Sequence, residues 1–190
     1  MIIDNYFIAI IFTDNCNNFS IIVGYIFYST NLIDQFRNLK VVAWTTLIFG
    51  ILLYFSDKFE LKNKIASELN IKSIIIIGLF QILAIIPGVS RSGIVITASR
   101  FLKFDRVESS KIAFYLSIPA LAGASVLGFK DVIDDQINFD AIFIFSTSAS
   151  FLFSYFTIKY FLIYVKMFSL SFFVIYRIVL SIVLFSIIYL

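Results

Sequence analysis

The sequence is poor in the residues on which many enzyme active sites depend. Its 190 residues contain no histidine, one cysteine (Cys16), two prolines and seven glycines, and only 14% of them are charged. Without histidine, the chain has no imidazole for acid–base catalysis, metal binding or a Ser-His triad. A single cysteine excludes an internal disulfide and a cluster of thiolate ligands. Chemistry must therefore come from hydroxyl groups, arginine, lysine, tyrosine, carboxylates or the backbone.

What the chain has in excess is apolar mass. Hydrophobic residues make up 61% of it and the mean hydropathy is +0.98, whereas soluble domains are about 45–50% apolar. At about 20 residues per helical span, the length allows about five or six membrane segments and no separate soluble domain. The net charge of +3 is small and dispersed, which argues against nucleic acid as a partner. Residues 1–14 contain no lysine or arginine, so we expect no cleaved signal peptide.

Alternating apolar and charged stretches predict an all-α, polytopic membrane domain that covers residues 1–190. Lysine and arginine concentrate in residues 57–72 and 100–111, which the positive-inside rule places on the cytoplasmic side. Four aspartates in residues 131–140 suit the outside. The predicted spans are residues 41–55, 112–129, 141–158 and 168–190. Two further apolar runs, residues 6–12 and 19–28, form either one interrupted span or the edge of something longer.

Residues 73–102 predict a re-entrant helical hairpin. The apolar arms, residues 73–86 and 94–99, are each too short to cross a hydrocarbon core of about 30 Å. Both arms end at basic flanks, so both ends belong on the same side of the membrane. The alternative is a single span over residues 73–102 that is kinked at its proline, but it would leave basic clusters on opposite faces.

The tip of this hairpin reads Pro87-Gly-Val-Ser-Arg-Ser-Gly93 and has the composition of an anion site. Arg91 at membrane depth is costly and is therefore a functional candidate, and its planar fork suits phosphate oxygens. Ser90 and Ser92 add hydroxyl groups, and Gly88 and Gly93 permit close backbone approach. We expect Ser92 or Gly93 at the N-terminus of the second arm, where free N–H groups favour phosphate. The alternative is a proline turn with serine caps and an arginine that snorkels to headgroups.

Three stretches in this order resemble the bacterial undecaprenyl-diphosphate phosphatase family, which is associated with bacitracin resistance. They are residues 78–93, residues 114–124 (Phe-Tyr-Leu-Ser-Ile-Pro-Ala-Leu-Ala-Gly-Ala) and residues 173–177 (Phe-Val-Ile-Tyr-Arg), and the likeness covers residues 41–190. The resemblance implies inverted repeats, each with a re-entrant hairpin, in the bacterial inner (cytoplasmic) membrane. It implies hydrolysis of undecaprenyl diphosphate to undecaprenyl phosphate and inorganic phosphate, which recycles the lipid carrier for peptidoglycan synthesis.

By position, the resemblance assigns the grip on the diphosphate to Arg91, with Ser90 and Ser92 assisting. Gly88 and Gly93 would shape the loop. Gln81 either hydrogen-bonds to this tip or satisfies neighbouring backbone. Arg177, near the middle of the last span, is either functional, charge-paired or a polar group that helps the helices pack.

The N-terminal part departs from the family pattern. Residues 1–38 do not match the glutamate-rich motif and the Pro-Val-Ser-Ser-Ser-Gly-His stretch that family members carry there. We therefore expect an N-terminally shortened member with residues 1–38 as a remnant. No cofactor site is identifiable in the chain, and the resemblance leaves room for a divalent cation, Mg or Ca. A homo-oligomer could bring two hairpins together. A catalytically impaired prenyl-phosphate-binding remnant and a lipid-carrier translocase remain as alternatives to the phosphatase.

Overall fold

A computed structural model of the chain describes residues 36, 38–58, 70–134 and 141–189, apart from some side chains within residues 124–134. All regular secondary structure in these ranges is helical, as the all-α prediction requires. The apolar runs 6–12 and 19–28 lie outside the described residues. A short 3₁₀ turn, Leu83–Ile85, follows the second helix. The described ranges contain six α-helices, which are α1 (Leu39–Lys58), α2 (Ile71–Ile82), α3 (Arg91–Phe101), α4 (Arg106–Asp134), α5 (Ala141–Met167) and α6 (Ser171–Tyr189).

Short polar side chains start two of these helices. The side chain of Asn70 accepts a hydrogen bond of 2.9 Å from the backbone N–H of Ser73 and so caps α2. Asp105 does the same for α4, accepting a bond of 2.8 Å from the N–H of Glu108. Each cap satisfies one of the N–H groups that have no partner within the helix. These caps fix where the chain re-enters helix after each charged stretch.

Three helices, α1, α5 and α6, are long and apolar enough to cross a membrane. Their bounds differ from the predicted spans, most of all in α5, which does not end at residue 158 but continues through Lys159 to Met167. Its 27 residues are about 40 Å long, which exceeds a hydrocarbon core of about 30 Å. The prediction placed the end at the first lysine, whereas a lysine does not break a helix. Residues 112–129 lie within the 29-residue helix α4, and their crossing stays a prediction.

The helices pack around α3, which contacts α1, α2 and α4. Every residue from 94 to 100 of this short helix is buried. Because α2 and α3 pack against each other, the chain reverses direction between them and forms a helical hairpin rather than one kinked helix. Helix α1 also packs along α6, where the hydroxyl of Ser181 donates a hydrogen bond of 2.9 Å to the carbonyl of Ala43. Helices α1, α3 and α6 thus meet at the tip of the hairpin.

Most of the remaining surface is apolar. None of the membrane-length window of α5 is buried, and large side chains such as Phe145, Phe153 and Tyr160 are exposed. An apolar surface of this extent is foreign to a soluble monomer and suits contact with lipid. Three small residues in the second half of α4, Ala122, Gly123 and Ser125, are exposed as well, and a Cβ added at Gly123 would meet no atom within 4 Å. None of the described residues packs closely against α4 at this glycine.

Candidate functional site

The tip of the hairpin is a tight turn with two residues in the left-handed region. Gly88 has φ 90° and Ser90 has φ 67°, and the N–H of Val89 donates to the carbonyl of Ile86 at 3.3 Å. Ser90 is the N-cap of α3, and its hydroxyl accepts a bond of 3.3 Å from the N–H of Gly93. Helix α3 therefore begins earlier than expected, because Ser90 rather than Ser92 or Gly93 supplies the cap. A positive φ in serine costs free energy and has to be held by its surroundings.

Two threonines of α1 hold the first part of the turn. Oγ1 of Thr45 donates to the carbonyl of Pro87 at 2.6 Å, and Oγ1 of Thr46 donates to the carbonyl of Gly88 at 3.3 Å. The two backbones come so close that a Cβ at Gly88 would collide with Oγ1 of Thr45 and lie 2.7 Å from the carbonyl oxygen of Val42. Only glycine fits here, because both the positive φ and the close approach exclude a side chain.

Arg177 of α6 holds the second part of the turn. Its Nη2 donates to the carbonyls of Gly88 and Val89, at 2.7 Å and 2.6 Å. The residue is only 8% exposed, and no carboxylate within the described ranges forms an ion pair with it. Arg177 is therefore paired with backbone carbonyls of the tip, not with an acidic side chain.

The tip opens on a cavity of about 460 Å³ with one polar end. This volume lies in the range of small-molecule sites, about 300–1,000 Å³. Its polar lining comes from the tip and the helices that hold it, and its apolar lining comes mainly from α1, α5 and α6. The polar lining residues are Thr46, Gly88, Ser90, Ser92, Gly93 and Arg177, and the apolar ones include Val42, Leu53, Phe161, Phe173, Tyr176 and Leu180. Such a cavity suits a ligand with a polar head and an apolar body.

Four of the residues predicted from the sequence meet at this cavity. Ser90, Ser92, Gly88 and Gly93 all line it. Gln81 is buried in α2, at 2% exposure, and is not part of the lining. The roles assigned to these residues stay predictions.

Arg91 occupies a different place from the cavity. It is the first residue of α3 and is not part of the lining. Its Nη2 donates to the carbonyl of Leu116 in α4 at 3.2 Å. Pro119 lies in the same helix and disturbs the hydrogen bonding of the preceding turn, because proline has no N–H. Arg91 thus bonds to backbone at the turn that the proline perturbs, and Arg177 is the guanidinium that reaches the cavity.

A second charged cluster lies at the far end of α3. Asp57, at the C-terminal end of α1, forms a bidentate ion pair with Arg106 through distances of 2.7 Å and 3.1 Å. Its carboxylate also accepts a bond of 3.0 Å from the N–H of Leu170 and lies 3.4 Å from Nη2 of Arg100. Burial lowers the pKa of Arg100, and the negative charge of Asp57 opposes this shift. Arg100, one of the basic residues that predict a cytoplasmic flank, is 4% exposed and lies among the packed helices, while the side of the membrane stays a prediction.

The described residues that line the cavity do not include the ligands that a divalent cation prefers. Its polar lining consists of hydroxyl groups, backbone and one guanidinium, whereas Mg²⁺ and Ca²⁺ prefer carboxylate oxygens. Within the described ranges, no group of three or more acidic, cysteine or histidine residues is arranged to hold a metal ion. These residues alone therefore provide binding by positive charge and hydroxyl groups rather than by metal coordination.

Sequence reasoning missed the residues that hold the tip in place. Thr45 and Thr46 were passed over within an apolar span, as was Gly50, where an added Cβ would lie 3.2 Å from Cβ of Arg177. A signal was present, because polar and small residues within a span usually face a partner helix. The distance in sequence between the threonines and the tip is the reason that a reading of local motifs did not connect them.

These features define an all-helical membrane protein with a ligand-sized cavity at a helical turn. The family model described as Bacitracin resistance protein BacA matches residues 16–183 of the chain. The chain belongs to this family. The family resemblance inferred from residues 78–93, 114–124 and 173–177 is confirmed.

Related proteins carry the name undecaprenyl-diphosphatase. The chain is 57% identical over 170 residues to the one from Pelagibacter ubique (strain HTCC1062), and the aligned segment covers 89% of this chain and 66% of the relative. It is 44% identical over 149 residues to the one from Elusimicrobium minutum (strain Pei191), covering 78% of this chain and 56% of the relative. A protein from Ruegeria sp. (strain TM1040) is 38% identical over 120 residues, or 63% of this chain and 45% of the relative. The chain thus spans about two thirds or less of the length of these relatives.

Proposed function

We propose that the chain acts as an undecaprenyl-diphosphate phosphatase of the bacterial inner membrane. In this reaction water attacks the terminal phosphorus of undecaprenyl diphosphate and the P–O bond of the anhydride breaks. The products are inorganic phosphate and undecaprenyl phosphate. The observation that carries the proposal is the cavity itself, in which the hydroxyl groups of Ser90 and Ser92 face an otherwise largely apolar wall. Family membership and the names of the relatives support the same reaction.

The tip residues would bind the diphosphate group. Hydroxyl groups of Ser90 and Ser92 donate to phosphoryl oxygens, and the N-terminus of α3 adds the positive end of its dipole. Arg91 would exchange its bond to the carbonyl of Leu116 for a bidentate bond to the substrate. Gly88 and Gly93 would shape the loop, and Gln81 would hydrogen-bond to the tip.

The hairpin would enter the membrane without crossing it. Helices α2 and α3 have 12 and 11 residues, about 18 Å and 17 Å, and neither length crosses a core of about 30 Å. We extend the proposal to a multi-pass protein with the inverted-repeat architecture of the family and a cavity that opens to the external side. A divalent cation, Mg or Ca, would need ligands beyond the residues that line the cavity. A homo-oligomer of two hairpins belongs to the same proposal.

Hydrolysis by the purified chain tests the proposal. The chain in detergent is given undecaprenyl diphosphate, and released phosphate is measured for wild type, Arg91→Ala and the control Lys103→Ala. Lys103 is an exposed cation at the opposite end of α3. We expect release by wild type and the control, and a loss of at least about tenfold in Arg91→Ala, because bonds to a charged group are strong. Absence of release from the wild-type chain would contradict the phosphatase.

Prenyl-phosphate binding without turnover is a second candidate, and one observation favours it. The described residues that line the cavity include no carboxylate, and hydrolysis of a phosphoanhydride usually needs a base or a metal held by carboxylates. Binding of a prenyl diphosphate that weakens in Arg91→Ala, without phosphate release by wild type, selects this candidate. Transport of the lipid across vesicles without phosphate release would select the translocase instead.

A further inference from the structure

The guanidinium of Arg177 is a buried positive charge whose described partners are all uncharged. Only Nη2 makes hydrogen bonds within the described ranges, both of them to backbone carbonyls of the tip. The residue is 8% exposed and lines the cavity. A buried cation without a counter-charge is expensive, since desolvation is repaid only by an opposite charge with good geometry. An anionic ligand in the cavity would therefore supply the counter-charge that the described residues do not give to Arg177.

The second terminal nitrogen of this guanidinium, Nη1, lies near Gly93 and the hydroxyl of Ser90. A Cβ added at Gly93 would lie 3.1 Å from Nη1 of Arg177 and 3.2 Å from Oγ of Ser90. The same small space is thus bordered by a charged N–H donor, a serine hydroxyl and the first turn of α3. Three kinds of hydrogen-bond donor converge there, and together they suit the phosphoryl oxygens of an anionic ligand.

The surroundings hold the arginine in this orientation. Cβ and Cδ of Arg177 pass Gly50 of α1, where an added Cβ would lie 3.2 Å and 3.8 Å from them. Nη2 is fixed by the carbonyls of Gly88 and Val89. An arginine held at both its stem and one terminal nitrogen loses little further freedom when it binds a ligand.

We infer that Arg177 is a phosphate-contacting residue of this cavity, which binds one phosphoryl group of a prenyl diphosphate through Nη1 while Nη2 holds the tip. The inference rests on the proposed substrate class and adds a second arginine to the one found in the tip motif. In this arrangement Arg91 and Arg177 approach the diphosphate from α3 and α6, on different sides of the turn. Two cations match two phosphoryl groups, so the site prefers a diphosphate over a monophosphate.

Binding selectivity separates contact from mere support of the loop. We would measure the affinity of the purified full chain for farnesyl diphosphate and farnesyl monophosphate, in wild type, Arg177→Gln and Arg177→Lys, with Lys166→Gln as a charge-matched control. Lys166 lies on α5, is exposed and does not line the cavity. Arg177→Gln should weaken diphosphate binding by about 10- to 100-fold and monophosphate binding by much less. Arg177→Lys should recover part of the diphosphate affinity, and Lys166→Gln should leave both affinities unchanged.

Equal losses for the two ligands would overturn the inference, because they would mean that Arg177 only supports the tip. Unchanged binding in Arg177→Gln would overturn it as well. If the variants do not fold, arginine modification of the wild-type chain by phenylglyoxal decides the matter. Farnesyl diphosphate, but not farnesol, should protect Arg177 from modification, while Arg106, whose side chain is 33% exposed and does not line the cavity, keeps its reactivity. Modification of Arg177 that farnesyl diphosphate does not change would contradict the contact.

The outcome is independent of catalysis. Wild-type chain that binds farnesyl diphosphate in an Arg177-dependent way but releases no phosphate contradicts the phosphatase and leaves the contact standing. Release of phosphate with diphosphate selectivity unchanged in Arg177→Gln contradicts the contact and leaves the phosphatase standing.

Discussion

At the scale of single residues, the tip depends on a few positions where close contact between helices leaves no space for a side chain or is made through backbone carbonyls. Gly88 combines a φ of 90° with a backbone approach to α1 that leaves no room for a Cβ. The three carbonyls of residues 87–89 accept bonds from Thr45, Thr46 and Arg177. Because these bonds depend on the turn geometry, a change at the glycine reaches all three donors at once.

We predict that Gly88→Ala destabilises the protein by about 2–3 kcal/mol, from strain at a positive φ and from displacement of Thr45. Thermal unfolding of the purified protein in detergent measures the effect. Gly123→Ala is the matched control, since an added Cβ there meets nothing within 4 Å and helical alanine is favoured over glycine. A Gly88→Ala protein as stable as the Gly123→Ala protein would contradict the tight approach.

The residue scale also marks what the sequence could foretell. Ser90, Ser92 and the two glycines of the tip were identifiable because they are adjacent in a polar motif within an apolar region. The motif did not reveal that Arg91 bonds to α4, whereas Arg177 reaches the cavity. That difference depends on the direction of each side chain and on which helix packs beside the tip, and neither is encoded in local spacing.

At the scale of elements, buried polar groups decide how the helices meet. Asp57 connects the end of α1 with Arg100 of α3, Arg106 of α4 and the N–H of Leu170 just before α6. Helix–helix contact in a membrane gains little from the hydrophobic effect, since lipid is as apolar as the helix surface. Hydrogen bonds and close packing therefore have a larger share in fixing this arrangement.

We predict that Asp57→Asn lowers stability by about 3–5 kcal/mol, because it leaves Arg100 buried without its counter-charge. Glu108→Gln serves as the control. It removes a partly exposed pair with Lys111, three residues further along α4, and should cost less than about 1 kcal/mol. Unfolding midpoints of the two variants in detergent give the comparison. Equal shifts in the two proteins would mean that Asp57 is no more than a surface charge.

Element boundaries were the part of the fold least accessible to prediction. Two short apolar arms with basic residues at both ends predict a re-entrant hairpin; α2 and α3 do pack together, and the re-entrant placement in the membrane stays a prediction. Helix α5 was predicted too short because Lys159 looked like the end of a span. Charge marks where a helix leaves the lipid, while the helix itself ends where its backbone hydrogen bonds end.

At the scale of the whole molecule, charge on the loops and apolar surface on the helices imply an orientation in the membrane. Helix α5 exposes its apolar side chains along its length, and α6 follows it after a short turn. The basic residues near the end of α5 predict that this turn is cytoplasmic. On this prediction α6 would run outward, with Arg177 beside the tip.

We predict that cysteine labelling shows opposite sides for the two ends of α6. Cys16 is the one cysteine of the chain, so Cys16→Ser provides a clean background for Lys166→Cys and Tyr189→Cys. A membrane-impermeant maleimide applied to spheroplasts should label Tyr189→Cys at once and Lys166→Cys only after permeabilisation. Labelling of both from outside would place the turn on the wrong side and with it the hairpin.

The passage of the Arg177 stem over Gly50 has a consequence for how such proteins diverge. An added Cβ at position 50 would come within 3.2 Å of the arginine side chain. An alanine at position 50 would therefore push the arginine stem aside by a few tenths of an ångström, and a larger residue would displace it further. A protein that keeps Arg177 for binding should therefore also keep a small residue at position 50, and a library that varies position 50 alone should return mainly glycine among the variants that still bind farnesyl diphosphate.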